Sequence, residues 1–187
     1  MNKIRWAIFV SGNGSNLQNV LELEKNGLIP QQEIILIHAD RECRALERAV
    51  EFDKVSWKSS PKSPDFLEDL LKQLSSLAVD RIFLLGYMRI LSAQFLLKWQ
   101  KPVVNLHPSL LPKYRGLEAI RKAYEAGDPL VGVSLHEVVE ELDSGPVILQ
   151  RSLTRHPDEN LESLTQRIHR LEHELVREYL LSLEVQP

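Results

Sequence analysis

Short apolar runs alternate with longer amphipathic stretches along this chain. The apolar runs are rich in Val, Ile, Leu and Phe and have the length of strands, whereas the amphipathic stretches have the length of helices. Consecutive parallel strands must be joined by a crossover connection, which is usually a helix. The alternation therefore predicts an α/β fold, with a Rossmann-like, mostly parallel sheet and helices on both faces.

The predicted elements follow one another without a repeat or a low-complexity tract. The predicted strands are Ile4–Val10, Glu33–His38, Arg81–Gly86, Val103–Leu106, Val131–Val138 and Val147–Leu153. The predicted helices are Ser15–Lys25, Glu42–Phe52, Pro64–Ser75, Ala93–Trp99, Glu118–Ala126 and Leu161–Leu183. Because 187 residues suffice for one well-packed core, we expect a single domain over residues 1–187.

Composition excludes several classes of protein and partner. A hydrophobic share of 43% and a charged share of 26% are those of an ordinary globular protein. The formal charge of -3 and the pI near 6.1 disfavour nucleic acid as a partner, because the phosphate backbone calls for a basic surface. No apolar run reaches the length of about 18 residues that a membrane span needs. Since Cys43 is the single cysteine, no internal disulfide can form. We expect a cytoplasmic protein, monomeric or homodimeric, that binds small molecules.

Two compact motifs carry the strongest candidates for chemistry. Asn105 and His107 lie at the end of the fourth predicted strand, and Asp143 lies in a Leu-Asp-Ser-Gly-Pro segment. Acyl transfer without a metal needs a donor to the oxyanion, a group that moves protons and a group that orients it. The amide, the imidazole and the carboxylate match these roles. Being two residues apart on a strand, Asn105 and His107 should share a face, and His136 could line the same pocket.

Other chemistry is possible with the same residue types. His107, His136 and Asp143 could form a metal site with two histidines and a carboxylate, although no close ligand spacing supports it, and we expect no metal. Ser109 or Ser15 could be a hydrolase nucleophile, yet neither lies in a Gly-x-Ser-x-Gly turn. Both alternatives are weaker than the acyl-transfer interpretation.

The remaining histidines carry weaker signals. His156, His169 and His173 lie in a polar loop or on the last predicted helix, where we expect solvated side chains. His38 ends a strand, and its role is left open.

The turn after the first strand has the composition of a phosphate cradle. Its sequence is Ser11-Gly-Asn-Gly-Ser-Asn16, in which the glycines permit tight turning and Ser15 is expected to cap the next helix. Backbone N–H groups and the positive end of the helix would then face an anion. Leu17 stands where a dinucleotide fingerprint has its third glycine, and no Gly-Lys-Ser/Thr follows. An ordinary strand-to-helix turn is the alternative.

These motifs together resemble the phosphoribosylglycinamide formyltransferase family, folate-dependent enzymes of purine synthesis. The matching segments are Ser11–Asn16, Gly86–Leu91, Asn105–Pro112, Val133–His136 and Glu141–Gln150. They follow the family order across nearly the whole chain. The Asn-x-His and Leu-Asp-x-Gly-Pro pieces belong to the wider formyltransferase group, whereas the first segment is more characteristic of the branch that acts on glycinamide ribonucleotide.

The resemblance implies a reaction and a division of the site. A formyl group would pass from 10-formyltetrahydrofolate to the amine of glycinamide ribonucleotide, with Asn105, His107 and Asp143 as the catalytic residues. The nucleotide substrate would be bound by Gly14, Ser15, Asn16 and Glu172. The folate would be bound by Met88, Arg89, Ile90, Leu91, Val139, Glu140, Glu141 and Leu142. Taken alone, Glu172 could be a surface charge of the last helix, and Met88 and Ile90 could be core residues.

Four rival functions share some of the same residues. A formyltransferase for a nucleotide-linked amino sugar would share the catalytic trio. Methionyl-tRNA formyltransferase and formyltetrahydrofolate hydrolase carry additional domains, for which 187 residues leave no room. A catalytically silent nucleotide-binding module would keep the phosphate turn but would not need Asn105, His107 and Asp143 together.

Overall fold

The computed structural model describes residues 3–60 and 62–185. The strands are β1 (Ile4–Val10), β2 (Gln32–Ala39), β3 (Ser56–Lys58), β4 (Arg81–Leu84), β5 (Val103–His107), β6 (Leu130–Glu137) and β7 (Val147–Thr154). The helices are α1 (Ser15–Lys25), α2 (Arg44–Glu51), α3 (Phe66–Ser76), α4 (Ala93–Trp99), α5 (Ala119–Glu125) and α6 (Leu161–Ser182), and the short 3₁₀ helix Leu183–Val185 follows α6.

The strands form one sheet in the order β3-β2-β1-β4-β5-β6-β7. The pairs from β3 to β5 are parallel, and β5–β6 and β6–β7 are antiparallel. The prediction of a mostly parallel sheet is therefore confirmed. The chain runs outward from β1 in one direction and from β4 in the other, so the strand order switches between these two strands. In open α/β sheets such a switch leaves a crevice at the carboxyl ends of the strands, where ligands bind.

Helices cover both faces of the sheet, as predicted. Side chains of β1 alternate between two cores: Trp6, Ile8 and Val10 belong to one, and Ala7 and Phe9 belong to the other. The alternation follows from the two-residue period of a strand. Helices α1, α2, α5 and α6 contribute to the first core, and α3 and α4 contribute to the second. Since both faces are packed, the central strands β1 and β4 carry continuous apolar runs, Trp6–Val10 and Ile82–Leu84.

Most predicted boundaries agree with the structure to within two residues, and two differences have clear causes. The strand β4 ends at Leu84 rather than Gly86, because the chain turns there and Gly86 adopts a positive φ of 72°. The strand β3 was not predicted. It has only three residues, Ser56–Lys58, lies at the sheet edge and exposes both end residues, so it carries no apolar run.

The predicted capping of α1 by Ser15 is wrong. Ser15 is already the first residue of the helix, and Gly14 occupies the capping position in the left-handed region, with φ 75°. A Cβ atom on Gly14 would lie 2.6 Å from the Cβ of Ala45. The backbone N–H of Ala45 also donates to the Gly12 carbonyl at 3.1 Å. The turn and α2 are thus in direct backbone contact, which only glycine at position 14 permits.

Gly14→Ala tests this packing, with Gly127→Ala as its control. Gly127 has a similar φ of 70°, but nothing lies within 4 Å of a Cβ placed there. Left-handed strain alone costs about 1–2 kcal/mol in both variants. Overpacking should add about 1–3 kcal/mol at position 14 only. The free energies of unfolding from urea denaturation measure both effects, and equal losses would contradict the contact argument.

Candidate active site

A cleft of about 590 Å³ opens at the carboxyl ends of β1, β4 and β5. Its volume falls within the range of about 300–1,000 Å³ typical of small-molecule sites. Fifteen of the sixteen residues named from the sequence line it: Gly14, Ser15, Asn16, Met88, Arg89, Ile90, Leu91, Asn105, His107, His136, Val139, Glu140, Leu142, Asp143 and Glu172. Glu141 does not line the cleft, because its carboxylate turns to Arg115, whose Nη1 lies 2.9 Å from Oε1.

The catalytic candidates converge on the carboxylate of Asp143. Asn105 and His107 share one face of β5, as the two-residue spacing predicts, and Asn105 lies opposite His136 in the β5–β6 register. His107 Nδ1 lies 3.4 Å from Asp143 Oδ2, and Asn105 Nδ2 lies 3.4 Å from Oδ1. His136 Nε2 lies 3.5 Å from the same Oδ1. All three side chains therefore lie around one charge.

His136 contacts a backbone carbonyl and the Asn105 amide through its two ring nitrogens. Its Nδ1 lies 2.8 Å from the carbonyl oxygen of Glu137. Its Nε2 lies 3.0 Å from Asn105 Nδ2. These contacts hold the imidazole ring in place and orient the Asn105 amide beside Asp143.

His107 has an acceptor on each ring nitrogen. Its Nε2 lies 2.9 Å from the carbonyl oxygen of Tyr114, and its Nδ1 faces the carboxylate of Asp143. Two acceptors favour an imidazolium ion, because both nitrogens then donate. His107 is therefore placed to carry a positive charge beside Asn105.

Asp143 keeps its charge in a buried position. Burial acts to raise the pKa of Asp143, but the side chain of His136, the N–H of Gly116 and the charge of His107 outweigh it and hold the pKa below its usual range. The Gly116 N–H donates to Oδ2 at 2.8 Å. The backbone around Asp143 has two unusual features. Asp143 itself has a positive φ of 49°. At Gly145, a Cβ atom would lie 1.9 Å from the carbonyl oxygen of Glu137, so only glycine fits. The Leu-Asp-Ser-Gly-Pro sequence supplies both features.

At the other end of the cleft, Glu172 is buried rather than a surface charge. It is 7% exposed, and Asn16 Nδ2 donates to its Oε2 at 2.9 Å. Burial raises the pKa of Glu172 to about 7, although the Asn16 hydrogen bond acts in the opposite direction. Within residues 3–60 and 62–185, the Asn16 Oδ1 is buried without a hydrogen-bond partner. The turn before α1 and the middle of α6 thus form one polar end of the cleft.

The apolar end of the cleft exposes large apolar side chains. Met88 is 56% and Ile90 70% exposed, although both follow a buried strand. Val139 and Leu142, from the loop after β6, line the same cleft and are also exposed. Apolar surface of this kind is typical of a ligand site rather than of a core. The alternative of core positions for Met88 and Ile90 is therefore wrong.

Sequence reasoning missed Asp40 as the anchor of the Met88–Leu91 loop. Its buried carboxylate accepts from Arg89 Nε at 2.9 Å and from Arg41 Nη2 at 2.8 Å. Burial acts to raise the pKa of Asp40, but hydrogen bonds from Arg41, Ser11 and Arg89 lower it to about 2. The Ser11 hydroxyl also accepts from the backbone N–H of Met88 at 2.8 Å. No sequence pattern indicated the contact between Asp40 and Arg89, because these two residues lie 49 positions apart.

The other histidines separate into three environments. The prediction of a solvated side chain is confirmed for His156, which is exposed, and is wrong for His173, which is partly buried and whose Nε2 has no hydrogen-bond partner within residues 3–60 and 62–185. His169 is exposed, as predicted, and also lines the cleft, three residues before Glu172 on the same helix. That spacing puts both side chains on one face and could have indicated the position of His169. His38 is buried against Phe9, Trp57 and other rings, and burial lowers its pKa to about 4. It is a core residue.

Two further structural findings concern metals and membranes. In the part of the chain that the structure describes, no group of three or more His, Cys, Asp and Glu side chains is arranged to hold a metal ion. Among those same residues, no helix combines the length and apolarity of a membrane span.

Comparison with known proteins decides the family. Residues 4–180 match the family described as formyl transferase. The chain belongs to this family. Among the relatives of this formyltransferase, the Bacillus subtilis phosphoribosylglycinamide formyltransferase is 34% identical over 173 residues, which cover 90% of this chain and 89% of that protein.

Solved structures agree with the family match. The phosphoribosylglycinamide formyltransferase of Bacillus halodurans superposes with a TM-score of 0.92 at 33% identity, covering 97% of this chain and 96% of that one. The glycinamide ribonucleotide transformylase 1 of Geobacillus kaustophilus superposes with a TM-score of 0.91 at 38% identity, covering 98% and 99% of the two chains. The predicted resemblance and fold class are confirmed.

The buried carboxyl of Glu172 generates a pH-dependent prediction. Its pKa in the folded state is about 7, against the ordinary 4.5, so folding disfavours its ionised form. Stability is therefore lost as pH rises from about 4.5 to about 7, at about 1.4 kcal/mol per pKa unit. Glu172→Gln removes this loss and keeps an acceptor for Asn16. The variant should match the wild type at pH 4.5 and be more stable by a few kcal/mol at pH 8.

Urea denaturation at the two pH values measures this difference, and Glu174→Gln is the matched control. Glu174 lies on the same helix and is exposed. Its substitution should leave the pH dependence of stability unchanged. A Glu172→Gln advantage that does not grow between pH 4.5 and pH 8 would contradict the assignment of a neutral Glu172.

Proposed function

We propose that this formyltransferase transfers the formyl group of 10-formyltetrahydrofolate to the amine of 5-phosphoribosylglycinamide, in de novo purine biosynthesis. The observation that carries the proposal is that Asn105, His107 and Asp143 line one cleft together with a polar, anion-ready end and an apolar end. A phosphorylated amine matches the polar end, and a reduced folate matches the apolar end. The names of the relatives support phosphoribosylglycinamide as the acceptor of the formyl group.

The polar end suits the nucleotide substrate. Backbone N–H groups of Gly14, Ser15 and Asn16 lie at the N-terminus of α1, whose dipole favours a phosphate. Glu172 is held by Asn16 at the same end and can accept a hydrogen bond from the amino end of the substrate. Its raised pKa means that both protonation states are available near neutral pH.

The apolar end suits the folate. Met88, Ile90, Val139 and Leu142 offer exposed apolar surface for its rings. Arg89, Leu91 and Glu140 complete the lining, and we include Glu141 as a rim residue that acts through its ion pair with Arg115. The loop backbone offers donors and acceptors for the pterin edge.

The central trio suits direct attack by the amine. As the nitrogen of the substrate forms its bond to the formyl carbon, the carbonyl oxygen becomes an oxyanion. The Asn105 amide donates to this oxyanion, and the imidazolium of His107 stabilises its charge at short range. Asp143 keeps His107 charged and accepts the proton that the attacking amine loses, which passes on to the folate nitrogen as its bond to carbon breaks.

We infer that residues 1–187 act as one catalytic domain. The family match over residues 4–180 and the single sheet support this inference. We further propose that the protein acts in the cytoplasm as a monomer or homodimer and that it binds small-molecule substrates but neither nucleic acid nor membrane.

Formyl transfer measured with purified protein tests the function. Wild type should form formylglycinamide ribonucleotide, and His107→Ala and Asp143→Asn should reduce kcat by on the order of 100-fold or more, because each removes charge stabilisation from the transition state. His156→Ala is the matched control, since this histidine is exposed and lies outside the cleft lining. It should retain the wild-type rate.

Three outcomes would count against the proposal in different ways. Transfer to a nucleotide-linked amino sugar, with none to glycinamide ribonucleotide, would identify another acceptor. Folate binding without transfer to either amine would also exclude the proposed acceptor. Wild-type rates in His107→Ala and Asp143→Asn would exclude the assigned catalytic roles.

A further inference from the structure

The segment between β5 and α5 contributes two backbone groups to the catalytic pair. The carbonyl oxygen of Tyr114 accepts from His107 Nε2 at 2.9 Å, and the N–H of Gly116 donates to Asp143 Oδ2 at 2.8 Å. Both contacts depend on where the backbone lies rather than on which side chains it carries. The geometry of His107 and Asp143 therefore depends on what holds this segment in place.

The backbone of the segment is intrinsically unfavourable. Tyr114 has φ 54° and Glu118 has φ 60°, both in the left-handed region that L-residues with side chains avoid. Gly116 has φ 79°, which glycine adopts readily. Such a conformation persists only where surrounding contacts determine it. A contact from outside the segment, referred to below as the tie, must therefore hold it in place.

Asp128 supplies that tie from the turn between α5 and β6. Its Oδ2 accepts from the Tyr114 hydroxyl at 2.8 Å and from Lys113 Nζ at 3.0 Å. Asp128 is itself held by its backbone N–H, which donates to the Ala123 carbonyl at 3.2 Å. Its carboxylate is thus connected to the end of α5 and, through Tyr114, to the catalytic histidine.

The Tyr114 hydroxyl is the more important of the two contacts. The Lys113 side chain is 60% exposed, and exposed ion pairs contribute little. The Tyr114 side chain is partly buried against the main core, so its hydroxyl meets Asp128 with less freedom to rearrange. The hydrogen bond to Asp128 raises the pKa of Tyr114. The hydrogen bonds from Lys113 and Tyr114 lower the pKa of Asp128. Both shifts support a Tyr114 hydroxyl that donates and an Asp128 carboxylate that is ionised and accepts.

We propose that Asp128 is a positioning residue for formyl transfer, which acts through the Tyr114 hydroxyl to hold the Tyr114 carbonyl against His107 Nε2. Asp128 does not line the substrate cleft, so it acts on the reaction only through this segment. The kinetic part of this inference rests on the proposed function, whereas its structural part does not.

A double-mutant cycle tests the coupling. Tyr114→Phe keeps the ring and removes the hydroxyl, and Asp128→Ala removes the acceptor. Each should lower kcat by on the order of tenfold while leaving both KM values within about twofold, because misplacement of a catalytic group acts mainly on the transition state. The double variant should lose no more than either single variant, since one contact is removed in all three.

Two further variants distinguish positioning from general damage. Asp128→Asn keeps an oxygen that accepts from the Tyr114 hydroxyl, so it should restore most of the activity lost in Asp128→Ala. Tyr124→Phe is the matched control, because the hydroxyl of Tyr124 makes no hydrogen bond to any residue within 3–60 and 62–185. It should leave kcat unchanged.

The imidazole N–H of His107 provides a readout without turnover. In ¹⁵N-histidine-labelled protein, assigned with His107→Gln, the Nε2 proton should be protected from exchange with water in the wild type. Protection should fall by at least tenfold in Tyr114→Phe and Asp128→Ala and should be unaffected in Tyr124→Phe. If this pattern appears in a protein that does not transfer formyl, the proposed function fails and the positioning contact stands.

Other outcomes would overturn the inference. Unchanged protection and unchanged kcat in Tyr114→Phe would exclude the tie. A lower melting temperature and a lower kcat with unchanged protection would show a merely structural role, and additive losses in the double variant would show that the two residues act independently.

Discussion

The buried carboxylate of Asp143 is the interaction on which the site depends. A charge removed from water is tolerated only where hydrogen bonds and opposite charge replace hydration. Here the compensating groups come from β5, from β6 and from the backbone before α5: His107, Asn105, His136 and the Gly116 N–H. Satisfying one carboxylate thus brings three separate parts of the chain together. The same arrangement places an amide donor beside an imidazolium.

Two buried carboxyl groups in this cleft have opposite pKa shifts, and the difference divides their roles. Asp143 is surrounded by donors and positive charge, so it stays ionised despite burial. Within residues 3–60 and 62–185, Glu172 accepts from the Asn16 amide alone, so burial dominates and raises its pKa to about 7. Environment rather than residue type therefore assigns a permanent charge to the centre of the cleft and a variable charge to its polar end.

Close backbone contacts position the loops that line the cleft. Gly14 lets the turn before α1 approach α2, and Gly145 lets the loop after β6 approach the Glu137 carbonyl. Tyr114 and Asp143 adopt left-handed backbone that costs free energy, which the packed sheet and its hydrogen bonds offset. Strain therefore lies at the segments that carry function, while the apolar core supplies the stability.

The sequence alone determined the fold class, nearly all the elements and the relative orientation of Asn105 and His107, because strand and helix periods and a two-residue spacing are local properties of the chain. Asn105 and His107 share a face for that reason. Only the tertiary structure decided that Glu172 is buried, that Asp40 anchors Arg89 and that the Tyr114 carbonyl meets His107. These features depend on contacts between residues remote in sequence or on backbone atoms common to all residues. Local sequence patterns do not report such contacts, so these three features were decided only by the tertiary structure.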